Sequence, residues 1–171
     1  MNAVSHDNFD HICDQLSSVV DTVQFERMRW ARDVGPRLAE LVALTLAAVE
    51  PRPDLEFAEE RSTTEVKRYI LKVHGVRVIG IALWIKDGRA CMQPVEIERS
   101  KYALTADDTI TGDVDGIDAA WVAEALKKAF GLIERRDEPE AAAAESALAA
   151  QAHPERPRHP EPPRLKTLRV G

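Results

Sequence analysis

The stretch YILKVHGVRVIGIALWIKDGRACMQPV, Tyr69 to Val95, decides the fold. Two dipeptides punctuate it, His74-Gly75 and Asp87-Gly88. Two-residue hairpin turns need positive φ at their central positions, which glycine supplies freely and Asp or His tolerates. The segment between the turns therefore reads as a strand with an antiparallel neighbour on each side. The turns also set a register: Val73 against Val76, Leu71 against Val78, Tyr69 against Gly80, Trp84 against Cys91 and Gly80 against Val95. One face then collects Tyr69, Leu71, Val73, Val76, Val78, Trp84, Cys91, Val95 and Ile97. It reads as the core, with the Tyr69 ring covering Gly80.

The opposite face carries Ile79, Ile81, Leu83 and Ile85 on the middle strand, with Ile70 and Met92 beside them. A solvated sheet face alternates to polar residues, and this one does not. It needs a cover, which either the chain's own helices or a second protein supplies. Pro94 cannot donate to a ladder, so it marks the third strand as an edge or as bulged.

Outward from the sheet, the pattern turns helical. Phe9, Cys13, Leu16, Val20 and Val23 recur at steps of four and three, one stripe of an amphipathic helix that Ser5 or Asp7 can cap. The spacing continues to Arg27, Trp30 and Val34, with Arg27 interrupting the seam. The expectation is a helix packed on its own sheet, with a short coiled-coil contact as the alternative. Gly35-Pro36 then breaks or kinks the chain. Pro36 suits the first turn of a second helix, which runs to about Val49. Leu38, Leu41, Val42, Leu44, Leu46 and Val49 cover most of that helix, so it is buried on more than one side.

Between this helix and the hairpins, DLEFAEE offers a short strand through Leu55 and Phe57, and STTEVKRYILKV alternates into the first long strand. TADDTITGDVDG reads as an acidic loop. IDAAWVAEALKKAFGLI follows as a third helix, with Ile117, Trp121, Ala125, Ala129 and Ile133 on one stripe. The sum is an α+β domain over residues 1–136: an antiparallel meander of three to four strands, two N-terminal helices and one C-terminal helix. Residues 137–171 read as a flexible Ala/Pro-rich tail, a disordered segment whose basic end, PPRLKTLRVG, can add as a strand to another protein.

The 171 residues are 44% hydrophobic, enough for a real core, and carry a net charge of −6. That balance excludes a chain that coats nucleic acid along its length. The Ala, Arg and Asp usage is that of a high-GC bacterial protein. Cys13 and Cys91 each sit inside an apolar pattern, which predicts buried thiols in a reducing compartment. MNAVSHDNFD is no secretory signal, and the apolar run from Leu38 to Val49 is too short to cross a bilayer. A cytoplasmic protein with no membrane contact is expected.

Chemistry-bearing constellations are sparse. Cys91 and His74 are the one Cys/His pair of the sheet, and the register separates them by about eight strand residues, roughly 25 Å, too far for a nucleophile and base. His11 and Cys13, two apart on a helix, point to different sides and make poor metal ligands, with His6 as the third member of that cluster. TGDVDG (Thr111 to Gly116) shares Asp113, Asp115 and Gly116 with a calcium loop. It puts Thr111 at the first ligand position and Val122 where a bidentate Glu is required, and a tight acidic turn before a helix explains the same residues. No catalytic residue, metal or cofactor is nominated.

Basic residues are denser. Arg27, Arg29, Arg32 and Arg37 surround Trp30, and Lys72 faces Arg77 across the first hairpin. Like charges so placed repel unless an anion lies near: a phosphate backbone, an acidic partner, or a carboxylate of the same sheet. The functional expectation is therefore a non-catalytic protein-binding module, an adaptor, chaperone or inhibitor. It would act through Ile79, Ile81, Leu83, Ile85 and Met92 on another protein or a second copy of itself. The rival expectation is a nucleic-acid-binding or regulatory protein using Arg27, Arg29, Lys72 and Arg77.

Overall fold

The structure, a computed structural model, describes residues 3–137. The expected tail beyond Asp137 and its basic end lie outside the described residues. Both hairpin turns form as the dipeptides require: φ is 49° at His74, 77° at Gly75, 51° at Asp87 and 70° at Gly88. All four central residues are left-handed, the condition of the turn type whose twist matches paired strands.

The chain enters through α1 (Ala3–Val20) and α2 (Thr22–Arg29), passes a π-helical turn (Trp30–Val34) and continues as α3 (Gly35–Val49). Then come β1 (Leu55–Glu59), β2 (Val66–Val73), β3 (Val76–Lys86), β4 (Arg89–Val95), β5 (Tyr102–Leu104), β6 (Ile110–Asp113), α4 (Ala119–Gly131) and β7 (Ile133–Arg135). The five-stranded sheet runs β1-β2-β3-β4-β6, and β5 pairs with β7 in a separate two-stranded ribbon. All the pairings are antiparallel. The fold is α+β as expected, with β6 and the ribbon added to the meander. Pro94 sits where β4 has outrun β6, whose pairing stops at Met92, so its missing donor costs no ladder bond there.

Gly35-Pro36 does not break the helix. Pro36 has no N–H, and its ring crowds the carbonyl four residues earlier. The backbone widens instead: the Gly35 N–H bonds the Trp30 carbonyl five residues back. The Trp30 ring lies against Gly35, where an added Cβ would stand 3.0 Å from it.

One residue decides which face of the sheet is core. Near the turn the register is as expected, with Val73 opposite Val76 and Lys72 opposite Arg77. The next pair is Leu71 with Ile79, not Val78, so Val78 is the extra residue of a β-bulge. From there on, Tyr69 faces Ile81 and Gly80 faces Ile70. A one-residue slip exchanges the faces of a strand. Ile79, Ile81, Leu83 and Ile85 consequently join Tyr69 and Leu71, while Trp84 and Cys91 turn to the other side. Tyr69 does not cover Gly80; it packs edge-on against Phe57 at 6.2 Å between ring centres. Ile97 lies over Gly80 in its place.

α3 and α4 pack side by side on the face so formed. Leu38, Leu41 and Val49 of α3 and Val122, Ala125, Leu126 and Ala129 of α4 share one cluster with Ile79, Ile81, Leu83 and Met92. Trp121 presses its indole onto Gly112 of β6, a contact any side chain there would block. Asp118 caps α4 by accepting from the Trp121 N–H at 2.8 Å. Asp113 accepts from the Asp115 N–H, and Asp115 pairs with Arg37. The acidic turn thus serves its own backbone and an ion pair to α3.

Candidate partner-binding surface

The five residues expected to dock a partner lie inside this core. Ile79, Leu83 and Met92 have no exposed surface, Ile81 keeps 1%, and Ile85 is half-buried against the cluster. The apolar face that needed a cover has one, from α3 and α4. The physical reason is the bulge at Val78, which brings Ile79, Ile81 and Leu83 onto the side of Tyr69 and Leu71.

The cover does not include α1. A helix expected to pack on the sheet instead turns its apolar side to solvent. Phe9, Ile12, Leu16 and Val23 are more than half exposed, Val20 is 77% exposed and Val19 84%. From Asn8 to Val20 the only half-buried residues are Asp14, Ser17 and Ser18, which lie on the polar side of the helix. The local sequence explains this orientation. Asp21 leaves helical geometry (φ −152°, ψ 95°) and its carboxylate accepts from the Gln24 N–H at 3.0 Å, so it ends α1 and caps α2. The Thr22 hydroxyl takes up the Ser18 carbonyl that the break leaves open.

The chain bends at this corner far enough for Asp14 to meet Arg32, eighteen residues on, through two bonds of 3.1 and 3.2 Å. In a straight helix their backbones would stand about 27 Å apart. Arg32 also holds Asp33 at 2.7 Å. The guanidinium pulls the Asp14 carboxyl below its usual range. A depressed folded-state value means the tie contributes above the ordinary Asp range and is lost as pH falls through the depressed value. Amide exchange in α1 is therefore expected to quicken in acid before that of the sheet does. In Arg32→Ala the same exchange is fast already at neutral pH; no difference between the two proteins would show that the tie does not orient α1.

Three of the four basic residues nominated for an anion, Arg29, Lys72 and Arg77, already have a carboxylate of this chain beside them. Lys72 and Arg77 are paired across the hairpin as expected. Each carries its own carboxylate from β1 or the residue after it: Glu56 lies 3.5 Å from Lys72, and Glu60 grips Arg77 through bonds of 2.8 and 3.0 Å. Arg29 reaches Glu26 at 3.9 Å on an exposed helix surface, and Arg27 lies exposed on α2. The expected like-charge strain is thus relieved within the sheet.

Cys13 is exposed on the outward side of α1, against the expectation of two buried thiols. Cys91 is buried opposite Trp84, and burial pushes its thiol up. His74 occupies the turn at the far end of β3, so the two do not meet. Among the described residues no three His, Cys, Asp or Glu side chains come together as metal ligands, and no helix is long and apolar enough to cross a membrane.

Two further surfaces are apolar. The sheet face opposite the helices presents Trp84, Val95 and Ile97 over the nearly buried Ile70, Ala82 and Cys91. A groove of about 840 Å³ runs along α3 past Trp30, Leu38, Val42 and Leu46 to Thr63 and Lys67. Comparison with protein-family models, with curated proteins and with solved structures gave no match.

The stripe on α1 was legible as a stripe; its direction was not. The missed signal is Asp21 followed three residues later by Gln24, a helix-start pattern inside what reads as one long helix. Once a new helix starts at Thr22, the stripe no longer runs as one seam into α3.

Proposed function

We propose that this chain is a non-catalytic protein-binding module, of the adaptor, chaperone or inhibitor kind, that docks through the outward side of α1. One observation carries the reading: α1 is packed with its polar side in and its apolar side out. Exposed apolar residues scattered singly need no explanation. A continuous stripe on one helix face is different, because it can enter a groove or pair with another helix as a unit. Each such side chain is worth about 1.5–3 kcal/mol when fully buried, before the cost of association. The rival nucleic-acid reading loses support from the neutralised Lys72 and Arg77, whose carboxylates would have to be displaced by phosphate.

A photoactivatable phenylalanine at position 16, read in the cells that make the protein, tests the proposal. The expected result is one dominant adduct on illumination, lost when Val19→Asp or Val20→Asp is added. A smear of weak adducts, or none, from positions 12, 16 and 19 alike would end the docking reading.

A further inference from the structure

Resting on that reading, we infer that the occupant of the α1 stripe is a second copy of the chain, with the two α1 helices paired antiparallel about Leu16. Three observations point there. First, the stripe is disposed symmetrically around Leu16. A two-fold axis at that residue sets Ile12 against the partner's Val20, Cys13 against the partner's Val19, and Phe9 against the partner's Val23 at the corner. The stripe tapers, with its bulky residues Phe9, Ile12 and Leu16 toward the N-terminus and valines toward the corner. Antiparallel pairing matches bulky with slim along its whole length, so the two backbones stay parallel at one spacing. Pairing in the parallel sense stacks Phe9 on Phe9 and valine on valine, which pries one end apart and leaves a gap at the other.

Second, the residues flanking the stripe suit a surface that meets itself. Asn8 and Gln15 line one side and Asp10 and Ser17 the other, with Thr22 and Gln24 just past the corner on α2. Asp10 apart, they are uncharged donors and acceptors, and the antiparallel axis keeps the two copies of Asp10 about 18 Å apart along the pair. A surface built for a charged partner carries the opposite sign, and a surface of one sign repels its own copy. α1 has no Lys or Arg, and of its three aspartates, Asp7, Asp10 and Asp14, the last is turned inward to Arg32. Antiparallel helix dipoles add to the preference.

Third, nothing of the chain's own described structure stands in front of the stripe. The corner at Asp21 puts Arg32 behind Asp14, on the side away from Leu16. The two helices, each about 27 Å long, approach from the open side. A two-helix contact lies at or below the small end of stable interfaces, about 1,200 Å² in all, so the dimer is expected to dissociate at about micromolar concentration.

Sedimentation of the full chain across a concentration series provides the test. The expected result is a mass twice 19.0 kDa at about 100 µM that falls to one chain on dilution. Leu16→Asp, and separately Val19→Asp, should sediment as single chains throughout with unchanged circular dichroism. Orientation is read from thiols. The partners' Cys13 residues sit about 9 Å apart along the antiparallel pair, beyond disulfide reach, so oxidised wild type stays uncrosslinked. Leu16→Cys in a Cys13→Ser background should cross-link within the dimer. A Cys13–Cys13 disulfide dimer overturns the antiparallel arrangement, and a dimer that survives both Asp substitutions overturns the use of α1. A wild type that is a single chain at every concentration overturns the inference altogether. In that case an adduct of position 16 with a different protein leaves the docking reading standing, and the absence of any adduct removes both.

Discussion

Ile81→Asp is expected to unfold the domain. Ile81 keeps 1% of its surface and sits between Tyr69 and Pro94 under α3 and α4. A carboxylate there has no cation to pair with in the cluster, and an unpaired buried charge costs several kcal/mol on top of the lost apolar contacts. The whole stability of a domain this size is about 5–15 kcal/mol, so one such residue consumes most of it. Circular dichroism and urea titration read the outcome: loss of the cooperative transition, or a midpoint shifted to the foot of the curve. Leu16→Asp is the matched control. At 65% exposure it should change monomer stability by no more than about 0.5 kcal/mol, measured at dilutions where chains are single. An Ile81→Asp protein that folds normally would return the sheet face to the list of docking surfaces and remove the helical cover described above.

The contrast between these two substitutions marks how far the sequence could be read. That β3 is apolar on both sides was plain from Val76 to Lys86, and so were both turns. A strand with two apolar faces has one covered by helices, and the covered one is decided by register. Register within a hairpin follows from the turn only while the ladder is regular. Val78 breaks that regularity, and nothing in VHGVRVIGIAL announces a bulge. The residue that would have raised the question is Gly80, since glycine inside a strand pattern often marks a bulge or a close approach. Here it marks the approach of Ile97, and the bulge lies two residues away.

The helices were legible for a different reason. α3 and α4 were found from apolar residues at helical spacing, and both bury the sides those residues occupy. α1 shows the same spacing but not the same fate. Periodicity identifies a face without saying where it points, and the direction of α1 depends on a corner at Asp21 and a single long-range tie, Asp14 to Arg32. β5, β6 and β7 were missed because strands of three or four residues carry too few alternations to register. Their pairing rests on contacts far apart in the chain. Glu96 accepts from the Leu104 N–H at 2.8 Å and from Arg136 at 2.6 Å, joining the loop after β4 to β5 and to the residue that follows β7. The Leu104 N–H, and then the Arg136 guanidinium, hold that carboxyl below its usual range.

The second large effect is expected at Ser100, because it holds the bulge that orders the faces. Its hydroxyl donates to the Val78 carbonyl at 2.7 Å and accepts from the Tyr102 N–H at 3.1 Å. Val78 is 4% exposed, so water does not take over at its carbonyl when the Ser100 hydroxyl is removed. Ser100→Ala orphans the carbonyl and the Tyr102 amide together, each at about 1–3 kcal/mol. Urea unfolding should show that loss as a lower midpoint with an unchanged slope, and hydrogen exchange at Tyr102 should rise ahead of the rest of the sheet. The alternative for the strand is the regular hairpin, which pairs Tyr69 with Gly80 and turns Ile79, Ile81 and Leu83 away from α3 and α4. That register takes the three most deeply buried residues of this side of β3 away from their cover, so the bulge persists in Ser100→Ala and the protein stays folded but weaker. A midpoint within about 0.5 kcal/mol of wild type would mean that the helical cover alone selects the bulged register, with Ser100 merely occupying the gap.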